Sequence, residues 1–169
     1  MDHKICLHLG SNLGDRHQNL QRSILEITQT VGQVIQQSSI YQTEAWGETE
    51  QPDFLNQSVL ANTDLSPQEV LTRILEIETE MGRIREKKWG PRIIDIDLLF
   101  YDDLILTTPS LTIPHPQISF RNFVLIPTME IFGDFIHPVF NLSVEELYLR
   151  CRDEGEVYLP DEIAPNSKG

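Results

Sequence analysis

The sequence predicts an α+β sandwich in which helices pack on an antiparallel sheet. Two stretches place apolar residues at helical spacing, and runs rich in β-branched residues lie before, between and after them. These elements follow the order strand, helix, strand, strand, helix, strand, which is the split β-α-β arrangement of ferredoxin-like folds. We expect both helices on one face of the sheet, where each can bury its apolar stripe.

The first half of this unit contains a strand, a helix and a second strand. Residues 4–9 predict the strand, and the turn-forming run at 10–14 ends it. A helix should begin at about Asp15 and end near Gly32. Its apolar stripe consists of Leu20, Ile24, Ile27 and Val31. Residues 34–44 are rich in residues that favour extended structure and predict the second strand.

The second half contains a strand, a helix and a closing strand. The polar run at 46–53 predicts a loop, and residues 54–62 predict the strand that follows it. Ser66, with Glu69 three residues later, is typical of a capping box at the start of a helix. The apolar stripe of this helix consists of Val70, Ile74, Ile77 and Met81. Residues 93–101 predict the closing strand.

The rest of the chain predicts a mixed C-terminal part. A tight turn after the closing strand should lead into a return strand at 104–106, and helices are expected over 122–132 and from Ser143. The acidic, proline-containing residues that follow predict little regular structure. We therefore expect one domain at 1–152 and a loosely ordered C-terminal extension at 153–169.

Charge and cysteine content argue against several classes of protein. The net charge of −13 disfavours a nucleic-acid partner, whose binding requires a basic face. No apolar run reaches the roughly 18 residues of a membrane span, and the N-terminus does not resemble a signal peptide. Cys6 and Cys151 are the two cysteines, so we expect neither a disulfide scaffold nor a zinc site. The sequence predicts a cytoplasmic monomer that binds small molecules.

Asp95 and Asp97 are the residues that most directly indicate chemistry. Side chains two apart on a strand point to the same side, so the two carboxylates project together while Ile94 and Ile96 pack behind them. Two carboxylates this close favour a cation between them, and Mg²⁺ is often held by one or two carboxylates together with substrate phosphates. An acidic pair on the solvated side of a strand is the alternative, and the pair alone does not decide.

Five of the thirteen lysines and arginines lie between positions 83 and 92, just before the acidic pair. Arg92 ends this run, and Trp89 with a Gly-Pro turn precedes it. An arginine near a metal can bind the same phosphates bidentately, and a loop of this composition can close over a charged ligand. The pattern favours a polyphosphate site, although a solvated charge run is an open alternative. The sequence contains neither the lysine-bearing phosphate loop nor the protein-kinase motifs.

Aromatic and polar residues near the predicted strand ends could form a slot for a flat heterocycle. The aromatic residues are Trp46, Phe54, Trp89 and Phe123. Asn56 shares a strand face with Phe54 and could bond the polar edge of such a ring. His115 is held between two prolines and could donate to a phosphate. The alternatives are core positions for the aromatic residues and a loop histidine without a role.

With these residues in view, the chain resembles the 6-hydroxymethyl-7,8-dihydropterin pyrophosphokinase family of the folate pathway. Five segments carry the resemblance: LGSNLGD at 9–15, YQTE at 41–44, QPDFLN at 51–56, GR with WGPRIIDID at 82–97, and IPH with RNF at 113–123. The resemblance implies a ferredoxin-like fold and an enzyme that transfers pyrophosphate from ATP to a pterin alcohol and releases AMP. The chain departs from the family pattern at Glu44, Ser110 and Pro116.

The resemblance also implies a role for each site residue. Asp95 and Asp97 would hold two Mg²⁺ ions, and Arg83 and Arg92 would be the further catalytic residues on the phosphate chain. The residues expected to contact ATP are Glu78, Arg83, Trp89, Arg92, Leu98, Thr112, His115 and Arg121. The residues expected to contact the pterin are Thr43, Glu44, Trp46, Phe54, Asn56, Trp89 and Phe123, with the two phenylalanines on opposite sides of the ring.

Two other functions are compatible with parts of the pattern. One is a ferredoxin-like binding module that senses a nucleotide without turning it over, and the other is a metal-dependent phosphohydrolase. A sensor has no need of a metal-binding acidic pair, and a hydrolase has no need of an aromatic slot. The combination of both features favours the transferase.

Overall fold

The computed structural model describes residues 2–44, 52–82, 93–153 and 155–160. The elements in chain order are β1 (His3–Ser11), α1 (Arg16–Thr30), β2 (Gln33–Gln37), β3 (Tyr41–Thr43), β4 (Phe54–Thr63), α2 (Pro67–Glu80), β5 (Asp95–Tyr101), β6 (Leu106–Thr107), β7 (Thr112–Ile113), a short 3₁₀ helix (Ile118–Phe120), α3 (Asn122–Phe132), α4 (Val144–Arg150) and β8 (Val157–Tyr158). Among the described helices, none has the length and apolar character that crossing a bilayer requires.

The main sheet is antiparallel and has the strand order β5-β1-β4-β3-β8, with β2 also pairing with β4. Without the terminal β8 this is the order of a ferredoxin-like sheet, so the predicted fold class is confirmed. The predicted strand at 34–44 is in fact two short strands, β2 and β3, which pair with different parts of β4. At the break between them, the Ser38 side chain accepts a hydrogen bond from the Ser58 backbone N–H, at 2.9 Å.

The first face of the sheet packs against α1 and α2. From the strands it buries Ile5, Leu7, Leu9, Ile94, Ile96 and Leu98, and from the helices Leu20, Ile27, Val70, Ile74 and Ile77. Both helices begin as predicted: the Asp15 side chain accepts from the Gln18 backbone N–H, and Ser66 and Glu69 form a capping box. The predicted apolar stripes therefore build the larger core of the molecule.

The second face of the sheet packs against α3 and α4. Its core contains Cys6, Leu60, Leu99, Phe100, Val124, Leu125, Val144 and Leu147. The expectation that α1 and α2 share one face of the sheet is confirmed, and the C-terminal pair, for which the sequence predicted no face, covers the other. The reason is that β1 and β4 are buried along nearly their whole length, and an antiparallel sheet with two buried faces needs a layer on each side.

Two further differences concern the C-terminal part. The predicted return strand at 104–106 does not pair with β5, because β6 instead forms a separate two-stranded sheet with β7. The sequence predicts no strand after α4, whereas β8 pairs with β3 at the edge of the main sheet. A two-residue strand has no local periodicity, so only its partner defines it. Residues 161–169 lie outside the described part of the chain.

Candidate active site

A cavity opens on the second face where α3 and α4 leave the ends of β1, β4 and β5 uncovered. Together with the open solvent at its mouth, it encloses about 750 Å³. Its walls come from the three strand ends, the end of β3, the loop after β7 and the start of α3. Of the residues predicted to form the site, it is lined by Thr43, Glu44, Phe54, Asn56, Asp95, Asp97, His115, Arg121 and Phe123.

The floor of the cavity is a row of three residues on neighbouring strands. Gly10 of β1 lies opposite Asn56 of β4 on one side and opposite Asp95 of β5 on the other. Directly paired residues of adjacent strands point to the same face, so the amide and the carboxylate flank a position that has no side chain. A Cβ atom at Gly10 would lie 3.5 Å from both Asn56 Oδ1 and Phe54 Cδ1. Glycine therefore keeps this part of the floor open to a ligand.

Asp95 and Asp97 project together into the cavity, half-buried, while Ile94, Ile96 and Leu98 lie in the core of the first face. The shared-side geometry predicted from their spacing is confirmed. The described residues contain no group of three or more His, Cys, Asp or Glu side chains that could hold one metal ion. An ion bound by the two aspartates would complete its shell with phosphate oxygens and water, which is how Mg²⁺ is usually held.

Three residues expected to contact the nucleotide do not line the cavity. Leu98 is buried in the core of the first face, and Thr112 pairs with Thr107 in the small sheet. Glu78 is 2% exposed, and its carboxylate accepts a hydrogen bond from the Ile96 backbone N–H, at 2.8 Å. Since Ile96 lies between the two aspartates, Glu78 supports the backbone of the acidic pair from the opposite face.

His115 lies beside the acidic pair and is held by its own loop. Its backbone N–H donates to the Leu99 carbonyl at 3.0 Å, and its Nδ1 accepts from the Gln117 backbone N–H at 3.1 Å. The remaining ring nitrogen, Nε2, therefore carries the proton of the neutral ring and lies 3.9 Å from Asp97 Oδ1. Burial, together with the Arg121 guanidinium, lowers the pKa of His115 below its usual range. The neutral ring still offers an N–H to a ligand near Asp97.

Phe54 and Phe123 supply aromatic surface from different elements, β4 and α3. The Arg121 guanidinium lies 5.7 Å from the centre of the Phe123 ring, within the range of a cation–π contact. Asn56 is 1% exposed, and its amide nitrogen donates to the Thr43 hydroxyl at 2.9 Å. This hydrogen bond fixes the amide plane, so the site combines ring surfaces with an oriented polar edge.

His8 is a site residue that the sequence reasoning missed. It is 3% exposed, lies opposite Asp97 in the β1–β5 pairing and lines the cavity. Its Nε2 donates to the Phe123 carbonyl at 3.1 Å, and the two rings meet edge to face. Burial lowers the pKa of His8 to about 4, so the ring is neutral near pH 7. Strand parity could have found it, because His8 and Gly10 share a side of β1.

Some predicted site residues lie outside the described residues. Trp46 falls in the gap at 45–51, and Arg83, Trp89 and Arg92 fall in the gap at 83–92. Their expected roles in closing the site and binding phosphate stay predictions.

Comparison with known proteins gives a consistent result. The family model for 7,8-dihydro-6-hydroxymethylpterin-pyrophosphokinase (HPPK) matches residues 6–133. Two relatives are called 2-amino-4-hydroxy-6-hydroxymethyldihydropteridine pyrophosphokinase. The one from Synechocystis is 44% identical, over 80% of this chain and 70% of its own length. The one from Aquifex aeolicus is 39% identical, over 84% of this chain and 88% of its own length.

Solved structures show the same fold at low sequence identity. The Plasmodium falciparum HPPK-DHPS protein superposes with a TM-score of 0.70 at 17% identity, over 88% of this chain. A structure of HPPK-DHPS in complex with substrates superposes with a TM-score of 0.68 at 15% identity, again over 88% of this chain. This chain spans 44% and 43% of those two chains, respectively.

Proposed function

This chain belongs to the 7,8-dihydro-6-hydroxymethylpterin-pyrophosphokinase family, and from that premise we propose that the cavity on its second face is the catalytic site. The enzyme transfers pyrophosphate from ATP to the hydroxymethyl group of 6-hydroxymethyl-7,8-dihydropterin, a step of folate biosynthesis. The observation that carries the assignment of the site is the row Asn56, Gly10 and Asp95, which sets a polar ring-binding edge beside a carboxylate pair in one cavity.

The pterin ring lies between Phe54 and Phe123 in this proposal. Both side chains line the cavity from separate elements, and a flat heterocycle stacks favourably on aromatic faces. Asn56 bonds the polar edge of the ring, supported by its contact with Thr43. The open floor at Gly10 leaves the ring close to the carboxylates. Glu44 and Trp46 complete the pocket, the latter from outside the described residues.

The triphosphate lies over Asp95 and Asp97, which hold two Mg²⁺ ions. Bound Mg²⁺ supplies positive charge that orients the phosphates and stabilises the charge that develops on them. His115 and Arg121 donate to the phosphate chain from the same wall of the cavity. Arg83 and Arg92 act on the same phosphates, as the family resemblance implies. Glu78 holds the β5 backbone in place through Ile96.

The reaction proposed for this arrangement is an in-line displacement at the β-phosphorus of ATP. The hydroxymethyl oxygen forms a bond to the β-phosphorus, the bond from that phosphorus to the oxygen bridging to the α-phosphate breaks, and AMP leaves with that oxygen. The hydroxyl proton passes to water. In phosphoryl transfer, a protein contributes mainly by positioning the reactants and by stabilising the charge on the phosphates.

The test is an assay of nucleotide products with ATP, Mg²⁺ and the pterin alcohol. We expect AMP in an amount equal to the pyrophosphorylated pterin, and no AMP when the pterin is left out. Pterin-independent phosphate release would indicate a phosphohydrolase instead, and binding without turnover would indicate a sensor module. Asp97→Asn should lose the activity, whereas Asp103→Asn, an exposed position just after the same strand, should retain it.

We further propose that the enzyme acts as a monomer in the cytoplasm on small-molecule substrates alone. The acidic net charge of −13 supports the absence of a nucleic-acid partner. Sedimentation velocity at micromolar concentration, with and without ATP and Mg²⁺, tests the monomer, since a dimer would sediment measurably faster.

A further inference from the structure

The chain that follows α4 returns to the side of the molecule that holds the cavity and bonds residues next to both of its aromatic walls. We call Asp153 together with β8 (Val157–Tyr158) the C-terminal brace. The brace lies after residue 133, where the family match ends. Its hydrogen bonds reach α3, which carries Phe123, and Asp53, which directly precedes Phe54 in the chain.

At one wall, Asp153 caps α3. The residue in the N-cap position of this helix, Arg121, makes no side-chain capping hydrogen bond. The Asp153 carboxylate accepts from the Asn122 backbone N–H at 2.8 Å, and the Asp153 carbonyl accepts from the Asn122 side-chain amide at 2.8 Å. A carboxylate at a helix N-terminus satisfies a free N–H and complements the helix dipole. Asn122 stands between two cavity residues, Arg121 and Phe123, so Asp153 holds the turn from which both project.

The capping geometry is itself supported within the brace. The second oxygen of Asp153 accepts from the Gly155 backbone N–H, at 2.8 Å. Both carboxylate oxygens are therefore used, one toward the helix and one toward the brace's own backbone. This arrangement resembles an N-cap supplied by a distant part of the chain, and it satisfies one of the N–H groups that a helix leaves free at its start.

At the other wall, β8 extends the sheet beside β3. Tyr158 and Val157 lie opposite Gln42 and Thr43, and Thr43 supports the amide of Asn56. The Tyr158 hydroxyl donates to Asp53 Oδ2 at 3.0 Å.

That carboxylate oxygen of Asp53 also accepts from the Gln42 side chain, at 2.9 Å. Asp53 immediately precedes Phe54, and its backbone carbonyl accepts from Arg16 at 2.8 Å. Tyr158 thus completes a set of hydrogen bonds around the residue that leads into the Phe54 wall.

We propose that the C-terminal brace sets the positions of the Phe54 and Phe123 walls and so determines the affinity for a flat bicyclic heterocycle, with Asp153 and Tyr158 as positioning residues. The proposal rests on the ring-binding slot of the proposed function. The walls belong to separate elements, and the brace joins them through the Asp153 cap on α3 and the pairing of β8 with β3. Stacking depends steeply on ring separation, so loosening either wall weakens ring binding before it affects the acidic pair on β5.

The test compares Asp153→Ala and Tyr158→Phe with two matched controls, Asp134→Ala and Tyr148→Phe. Asp134 is exposed just after α3, and Tyr148 lies in α4, and neither lines the cavity. Four quantities are measured: Kd of the pterin alcohol without nucleotide, KM of each substrate, kcat and the melting temperature. The pterin alcohol itself is the probe.

We expect both brace variants to raise Kd and KM for the pterin by about three- to tenfold, the factor expected for the loss of one hydrogen bond. For Tyr158→Phe, kcat and the KM of ATP should change by less than about twofold, because the Tyr158 hydroxyl bonds Asp53, which is not assigned to the nucleotide. The controls should match the unmodified protein. The double variant should raise the Kd and KM for the pterin more than either single variant does.

Two results would overturn the proposal. One is a pterin Kd at the unmodified value in both brace variants. The other is an equal loss in kcat, in both KM values and in melting temperature, which would indicate a purely structural role. Failure of the proposed function is separately visible, because the unmodified protein would then produce no pterin-dependent AMP.

Discussion

The two faces of the main sheet are made by the same strands, among them β1, β4 and β5, but serve different purposes. On the first face, β1 and β5 contribute mainly apolar residues, such as Leu7 and Ile96, which meet the stripes of α1 and α2. On the second face, the same strands supply core residues at one end, Cys6 and Leu99, and line the cavity at the other, with His8, Gly10 and Asp97. The change occurs where the C-terminal helices stop covering the sheet.

This difference shows how one strand can carry stability and chemistry at once. Because side chains alternate along a strand, a residue one position away from a functional group belongs to the opposite face and hence to the core. The irregularity in the β1–β5 pairing, between Cys6 and Leu7, places Leu99 and Phe100 in the same second-face core. The first site residues, His8 and Asp97, are therefore only two positions from core residues on the same strand, which hold the backbone of the site in place.

The strongest test of the comparison is Asp97→Ala. Removing one of the two carboxylates from the proposed metal site should lower kcat by about 100- to 1,000-fold, because charge stabilisation of the transferred group is lost. The melting temperature should stay the same or rise, since the side chain is not part of a core and a like charge is removed beside Asp95. Steady-state kinetics and thermal unfolding measure both effects. A variant with near-normal turnover would remove Asp97 from catalysis.

Ile96→Ala changes the neighbouring residue on the other face. It should lower the free energy of unfolding by about 2–5 kcal/mol, since the side chain is 4% exposed within the larger core. The folded fraction should keep kcat within about twofold, because the carboxylates on either side are unaltered. Urea denaturation and activity in the absence of urea check the two parts. A large kcat loss at normal stability would contradict the separation of the faces.

His8 tests whether the second face has a polar interior that responds to pH. The unfolded chain protonates His8 with a pKa near 6.5, whereas in the folded chain that pKa is about 4, so acid favours the unfolded state. Stability should therefore fall between pH 6.5 and pH 4, by up to about 3 kcal/mol from this residue. His8→Gln, which can still donate to Phe123, should show a smaller fall over this window in urea titrations without Mg²⁺.

A result in which His8→Gln shows the same pH dependence as the unmodified protein would assign that dependence to other groups. His115 and His137 also have lowered pKa values because of burial, and they contribute in the same direction to both proteins. The comparison therefore isolates His8.

The smallest effect expected is the loss of a helix cap, and the chain offers one on each face. Ser66 caps α2 over the first face and Ser143 caps α4 over the second, each in a capping box with a glutamate. Replacing either serine by alanine should lower the free energy of unfolding by about 1 kcal/mol, measured in urea. A similar loss in the free energy of unfolding for both variants would show that the helices on the two faces are capped equally well and that the faces differ only in the side chains of their strands. A much larger loss at one serine would refute this.

Local patterns predicted much of the fold. The capping box at Ser66, the helix start at Ser143, both apolar stripes and the helix at 122–132 appear where the sequence indicates them, because helix signals depend on residues three or four apart. The division of 34–44 into β2 and β3, the pairing of β6 with β7 and the addition of β8 were not predictable in this way. Each depends on a partner strand that is distant in the sequence.

The candidate site shows the same division. The shared side of Asp95 and Asp97 followed from their spacing, and the family resemblance predicted Phe54, Asn56 and Phe123, which the structure brings into one cavity. The resemblance did not indicate His8. The roles expected for Glu78, Leu98 and Thr112 at the nucleotide stay predictions, and the structure places none of these side chains on the cavity wall.

By itself, the sequence determined the helices α1 to α4, the strands β1, β4 and β5, and the side of β5 on which the two carboxylates lie. These features depend on backbone periods of 3.6 and 2 residues, which are properties of short segments. The tertiary structure alone decided that α3 and α4 cover the second face, that they leave its strand ends open, and that Asp153 and Tyr158 return to that opening. Those outcomes depend on which distant surfaces bury one another, and the free energy of that burial belongs to the assembled chain and not to any single segment.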